Sequence, residues 1–293
     1  MGDARKVHIV DAVAGASRRA STSGAQSSER VIALLKLVAG QSTTGIGLAE
    51  LVEATGLNRP TARRLLLALI RGGLVEQDAR SRRYHLGPES YVLGTLAADR
   101  FGIHRLAMDG LARLAQASGD SAFLCVRREM FTVCLHREEG SFPIRTHVLA
   151  AGMRHPLGVG GAGLALLAAL PDAEVEAALE GNAGLLATNY PQHTSERLWA
   201  LVADCRARGF AINPGLVVSH SWGMGLAVRD AAGEPVAALS LAAIESRLGP
   251  DRQPELAALL REEVARLEAK LKNAGKLRAE RPAARKTPGR KVP

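Results

Sequence analysis

The sequence predicts an α+β chain: three helices and a hairpin, then a helical linker, then a larger α/β unit with a mixed or antiparallel sheet. Three observations carry that expectation. Apolar residues recur at helical spacing from Val31 to Leu69, then give way to two short β-leaning segments. Gly119-Asp120 breaks a second helical stretch, and alternation begins directly after it. Of 293 residues, 47% are hydrophobic and 23% charged, the balance of a globular protein long enough to bury real cores. Aromatics are only 3%, so Ala, Leu and Val must fill those cores.

Residues 1–26 mix Ala, Ser, Gly and Arg without a period and read as a flexible arm. A first helix begins near Ser27-Ser28-Glu29, with a serine available as N-cap, and Gly40 ends it. Leu48, Leu51 and Val52 mark a short second helix that stops at Gly56. Asn58 can cap a third, with Pro60 in its first turn, where a missing N–H costs nothing. Leu65, Leu66 and Leu69 form its buried stripe, and Gly72-Gly73 terminates it. Leu74–Gln77 and Arg82–Leu86, joined by Asp78-Ala79-Arg80-Ser81, read as a hairpin. A short helix, a tight turn and a Pro-started helix make a helix-turn-helix, and the hairpin makes it winged, over 27–87.

Two linker helices follow within 88–118, about 89–100 and 103–117. The alternation in 121–149 (Phe123, Cys125; Val133, Leu135; Ile144, Val148) predicts three strands. Helices are expected over 158–170, 172–180 and 195–208, then strands at 209–213, 222–229 and 235–243. An amphipathic helix over about 252–271 closes a second domain spanning 119–271. The Pro/Lys/Arg-rich stretch 272–293 reads as a disordered tail.

The net charge of +9 is unevenly placed. Residues 27–87 hold nine basic and five acidic side chains, net +4, whereas 88–269 hold 16 basic and 21 acidic, net −5. The stretch 270–293 holds nine basic residues and one acidic, net +8. Three scattered cysteines, Cys125, Cys134 and Cys205, fit neither a disulfide framework nor a zinc site and suggest a reducing compartment. No signal-peptide pattern opens the chain, and the longest apolar run, Gly158 to Leu170, is too short for a bilayer. A cytoplasmic location and no membrane partner are therefore expected.

Duplex DNA demands cations and hydroxyls near the N-terminus of the second helix of the motif. Arg59 and Arg63 lie four apart there, with Thr61 and Arg64 beside them, all off the buried stripe. Arginine can pair bidentately with guanine O6 and N7 or with phosphate, and threonine can reach a base edge. Arg80, Arg82 and Arg83 cluster at the hairpin, suited to phosphates or a minor groove. A double-stranded DNA partner is expected, read by a homodimer at a near-palindromic operator.

These residues also carry a family resemblance. Ser28-Glu29-Arg30-Val31, Leu48-Ala49-Glu50-Leu51, the run Thr55 to Leu66, Gly73-Leu74-Val75 and Tyr84-His85-Leu86-Gly87 resemble the IclR family of bacterial transcriptional regulators. The likeness continues through Phe131-Thr132-Val133-Cys134, Arg208-Gly209-Phe210-Ala211-Ile212 and Val228-Arg229-Asp230, covering about 28–270. It implies a GAF-like second domain that senses a small effector, often an organic acid, and linker-paired homodimers, which in that family often combine further into tetramers. Position by position, it places Gly160, Gly161 and Ala162 in the effector loop, with Asn213, Gly223 and Ser240 facing it. The family's lysine after the loop glycines is Leu164 here, and the second residue of a Ser-x-Ser pair is Ala242, which implies a more apolar pocket.

Read from its residues alone, Gly158-Val159-Gly160-Gly161-Ala162-Gly163 entering a helix offers backbone N–H groups to a carboxylate or phosphate. Equally, the glycines could serve close packing. Neither a P-loop nor a dinucleotide fingerprint is present, and no cofactor is expected. His136, His147, His155, His193 and His220, with Glu138, Glu139 and Glu245, form no nucleophile–base pattern. Cys134 and His136 could share a strand face, but two ligands are too few for a metal site. The expected function is a sequence-specific transcriptional regulator controlled by an organic-acid effector, not an enzyme. The alternatives are a general DNA-coating protein driven by basic termini, or an enzyme of unrecognised type in the second domain.

Overall fold

The computed structural model describes residues 25–41, 44–144 and 149–279. Most of the N-terminal arm, Val148 of the third expected strand and the tail beyond 279 lie outside the described residues. Helices α1 (Gln26–Gly40), α2 (Leu48–Thr55) and α3 (Arg59–Arg71) pack around Leu34, Leu37, Leu51 and Leu66, all essentially inaccessible to solvent. The N-cap of α1 is Ala25, with no side-chain hydrogen bond, so the expected serine cap is not used. Gly56 closes α2 in the left-handed region at φ 65°, and the Asn58 side chain accepts from the Thr61 N–H at 2.9 Å to start α3. Strands β1 (Val75–Gln77) and β2 (Tyr84–Leu86) form the wing, and Ile46 bridges Tyr84 from the other side.

Helix α4 (Pro88–Phe101) leads to α5 (Ile103–Ser118) and then to a six-stranded sheet. Its strands are β3 (Ser121–Arg128), β4 (Phe131–Glu138), β5 (Arg154–Pro156), β6 (Ala211–Val218), β7 (Ser221–Arg229) and β8 (Pro235–Ile244). They run in the order β5-β4-β3-β8-β7-β6, and every neighbouring pair is antiparallel. The mixed-sheet alternative is thereby excluded.

The third expected strand is also corrected. Ile144 is exposed coil, and β4 instead pairs with Arg154–Pro156, whose His155 and Pro156 are buried.

Three helices, α6 (Gly160–Ala168), α7 (Asp172–Asn189) and α8 (Ser195–Arg208), bury one face of the sheet; α5 and α9 (Gln253–Ala279) bury the other. Helix α7 extends well beyond the expected 172–180 because Asn182 and Leu186 are buried on its far half, where the Asn182 amide donates to the Met130 carbonyl at 2.9 Å. Helix α9 packs Leu271 against the core and continues to Ala279. Buried Asp120 links the two ends of this layer. It accepts from Arg247 Nε at 2.6 Å and Arg252 Nη1 at 2.6 Å, tying the α5–β3 corner to the start of α9. Among the described residues no helix is long and apolar enough to cross a membrane.

A close backbone-to-backbone junction lies where α6 meets β7. A Cβ on Gly161 would fall 2.9 Å from the Met224 nitrogen, and one on Gly225 would collide with the Gly161 carbonyl. Gly225→Ala is therefore expected to cost about 2 kcal/mol in urea denaturation, as overpacked cores do. Gly184→Ala, on the exposed side of α7 with nothing within reach, should instead gain ~0.5–1 kcal/mol. Equal effects at the two positions would sink the close-packing account.

Candidate functional site

The seven polar residues expected to face DNA divide into two groups. Arg59, Arg63 and Arg64 are exposed on α3 and Thr61 is half-buried beside them, while Ala62, Leu65, Leu66 and Leu69 are buried on the opposite side. No acidic side chain occupies the first turn of α3, so its N-terminal end is electropositive from both side chains and helix dipole. At the wing tip Arg80 and Arg82 are exposed. Asp78 organises that tip by accepting from the Ser81 N–H at 2.6 Å and the Ser81 hydroxyl at 2.7 Å. The Ser81 hydroxyl and backbone bonds hold the Asp78 carboxyl below its ordinary range. Arg82 adopts φ 57°, an uncommon conformation for a side-chain-bearing residue.

Arg83 behaves differently. Its guanidinium donates to the Thr44 carbonyl at 2.9 Å and the Gly45 carbonyl at 2.9 Å, and it pairs with Glu50 at 3.0 Å. The same Glu50 oxygen accepts from the Gly47 N–H at 2.7 Å, at the start of α2. Arg83 is thus committed to fastening the wing onto the helices. Sequence spacing could not distinguish it from Arg80 and Arg82.

All six residues expected at the effector site line one cavity of about 80 Å³ between the sheet and the N-terminus of α6: Gly160, Gly161, Ala162, Asn213, Gly223 and Ser240. The glycine loop serves both purposes weighed for it. Gly161 allows close packing, whereas Gly160, at φ 72° and with open space where a Cβ would stand, opens onto the cavity. Val159 precedes α6 and supplies no side-chain cap, so the first-turn N–H groups keep their capacity to donate.

Asn213 is 2% exposed, and its Oδ1 accepts from the Leu216 N–H at 3.2 Å. That bond turns Nδ2 inward, where it has no hydrogen-bond partner. Thr132, which sequence reading passed over, also lines the cavity, and its buried hydroxyl is likewise unpartnered. Its place on the same face of β4 as Cys134, two residues apart, was the available signal. Phe123, Val217 and Trp222 supply apolar wall, and no lysine or arginine contributes to the lining described. An orphaned amide donor and hydroxyl in an apolar chamber are costly unless a ligand or water satisfies them.

Cys134 and His136 do not share a face. A bulge in β4 shifts the register between Leu124 and Cys125, so Cys134 turns to the cavity while His136 turns towards α5, 5.3 Å from the His104 ring. Among the described residues no cluster of three metal-binding side chains exists. His155 also lines the cavity; its Nδ1 and the Tyr190 hydroxyl are 2.8 Å apart, and Tyr190 stacks edge-on with His193. His193 is 2% exposed and neither ring nitrogen has a partner. Burial, assisted by Arg197, pushes its pKa down to about 4.

Comparison with known proteins agrees with this layout. The family description "IclR helix-turn-helix domain" matches residues 27–79, and "Bacterial transcriptional regulator IclR C-terminal" matches 95–269. The glycerol operon regulatory protein of Streptomyces griseus is 31% identical over 234 residues, which cover 78% of this chain and 89% of that protein. Its counterpart in Streptomyces coelicolor is 31% identical over 243 residues, 81% of this chain and 92% of that protein. The crystal structure of an IclR transcriptional regulator from Alicyclobacillus acidocaldarius shares the fold, with a TM-score of 0.70 at 24% identity, covering 83% of this chain and 98% of that one.

His193 gives the site's surroundings a pH signature. Its folded pKa lies below the unfolded value of about 6.5, so its contribution is intact above that value and is lost as pH falls towards 4. Urea denaturation should show about 2 kcal/mol less stability at pH 5 than at pH 8 from this residue. A His193→Gln chain should lack that part of the slope; an unchanged slope would show that His193 is not its source.

Proposed function

This chain belongs to the IclR family of bacterial transcriptional regulators, and from that premise we propose that a small organic acid held in the sheet cavity sets its affinity for an operator. It is a DNA-binding transcriptional regulator rather than an enzyme. In this reading α3 enters the major groove, where Arg59, Thr61, Arg63 and Arg64 meet base edges and phosphates. Arg80 and Arg82 at the wing tip contact the flanking backbone, and Arg83 supports the wing without touching DNA. Two chains pair through α4, whose Tyr91, Val92, Leu93 and Leu96 are all exposed, so that two α3 helices address the halves of a near-palindrome.

The observation that carries the effector reading is the buried, unpartnered pair Asn213 Nδ2 and Thr132 Oγ1 within an apolar cavity. A carboxylate accepts from the first-turn N–H groups of α6 and from Asn213, while its hydrocarbon or aromatic body rests on Phe123, Val217 and Trp222. With no cation in the described lining, the helix N-terminus must offset a single negative charge; a dianion would be poorly held. Ligand binding changes operator affinity by its differential affinity for the two arrangements of the DNA heads.

Two measurements test these roles. A short near-palindromic duplex should shift with two chains bound, and Arg63→Ala/Arg64→Ala should abolish that specific shift. Deleting 272–293 should leave it in place while lowering non-specific binding and its salt slope, by about 0.9 for each phosphate no longer neutralised. Equal affinity for any duplex would favour a general coating protein instead. Calorimetric titration with aliphatic and aromatic monocarboxylates should find binding that Asn213→Ala weakens at least tenfold. Binding of only glyoxylate, or of only neutral glycerol, would overturn the proposed effector class.

A further inference from the structure

Cys125 and Cys134 take no part in the operator or effector readings, yet they oppose each other inside the cavity. Both are buried and free, and both line it. They are register partners on β3 and β4, and the bulge makes them so: Leu124 faces His136, so an unbroken ladder would have set Cys125 against Leu135. The Cys134 N–H donates to the Met153 carbonyl at 3.0 Å, and its carbonyl accepts from the Gly152 N–H at 2.8 Å. Both backbone groups therefore turn away from β3, which makes Cys125 and Cys134 a non-hydrogen-bonded pair. Such pairs bring Cα atoms to about 4.5 Å with side chains at their closest. That separation lies within the ~4.4–6.8 Å that a disulfide spans.

We propose that Cys125 and Cys134 form a dithiol site in the cavity wall, which closes to an intrachain disulfide when a peroxide small enough to enter the cavity reaches it. The Cys134 sulfur attacks one peroxide oxygen and the O–O bond breaks. The released oxygen takes the proton and leaves as water, with a sulfenic acid remaining on Cys134. The Cys125 sulfur then attacks that sulfenic sulfur, the S–S bond forms, and the hydroxyl leaves with the Cys125 proton as a second water. Two thiols lose two electrons, and one hydrogen peroxide becomes two waters. The neighbouring Cys134 thiol, and then burial, push the Cys125 thiol well up, so Cys125 holds its proton until the sulfenic acid has formed on Cys134. Cys205 on α8 is not among the cavity residues, and burial pushes it up to about 11. Closure removes two thiols from the wall beside Thr132, so oxidant and effector act on the same chamber.

The site rests on register and cavity, not on the identity of any effector or operator, and its test reads mass alone. Full-length folded protein is treated with hydrogen peroxide, quenched, alkylated and digested with trypsin. The expected product is a chain two daltons lighter in which the Cys125 and Cys134 peptides are joined, reversed by dithiothreitol, with Cys205 still alkylated. Cys125→Ser and Cys134→Ser should each abolish the joined peptide. All three thiols remaining alkylatable after treatment, disulfide formation only in denaturant, or linkage through Cys205 would each overturn the proposal, and wild-type protein alone suffices to see them.

Discussion

The second domain depends on the landing of α6 on β7, backbone against backbone, at Gly161 and Gly225. With no Cβ on either side, the helix approaches the sheet more closely than side chains would allow, and its N-terminus stops at the edge of a chamber. The consequences follow from that approach. The first-turn N–H groups are left without a capping side chain, and Gly160 opens onto the cavity. The rest of α6, buried along nearly its whole length, locks the arrangement in place. A helix end held this way is a fixed electropositive wall, and no charged side chain has to be desolvated to make it.

Polar groups around this chamber are arranged unequally. Asn213 spends its carbonyl oxygen on a turn and presents its amide nitrogen, while Thr132 presents its hydroxyl. By contrast, the charged side chains most deeply placed in the fold serve structure. Asp120 joins two corners through Arg247 and Arg252, and Glu263 joins α5 to α9 through Arg113 at 2.7 Å. Breaking such buried pairs is costly because one charge is left uncompensated. The same division runs through the winged helix, where Arg83 anchors the hairpin while Arg80 and Arg82 remain at its tip. Net charge therefore understates how specifically the basic residues are used.

Much of this was legible in the sequence because it is written in short-range patterns. Pro60 behind Asn58, Gly56 after α2 and the apolar stripe of α3 each act within one or two helical turns. The six residues expected at an effector site were picked out through family likeness, and all six line one cavity. Thr132 was missed because its two-residue spacing from Cys134 is a weak signal by itself; its burial without a partner is what distinguishes it. Ile144, expected in a strand, is coil for a related reason: β4 takes its edge partner from Arg154–Pro156. Alternation shows that a segment can be a strand but not which segment a neighbour will pair with.

The sequence by itself determined the winged helix, the order of helices and strands, and the family, because caps, turns and periodicity are local properties of the chain. Only the tertiary structure decided the antiparallel ladder, the inward use of Arg83, and the bulge that separates Cys134 from His136 and sets it against Cys125. In a strand the side-chain period is two, so one extra residue reverses every face beyond it. Whether that residue is inserted depends on hydrogen bonds to neighbouring strands distant in sequence, and therefore on how the whole sheet closes.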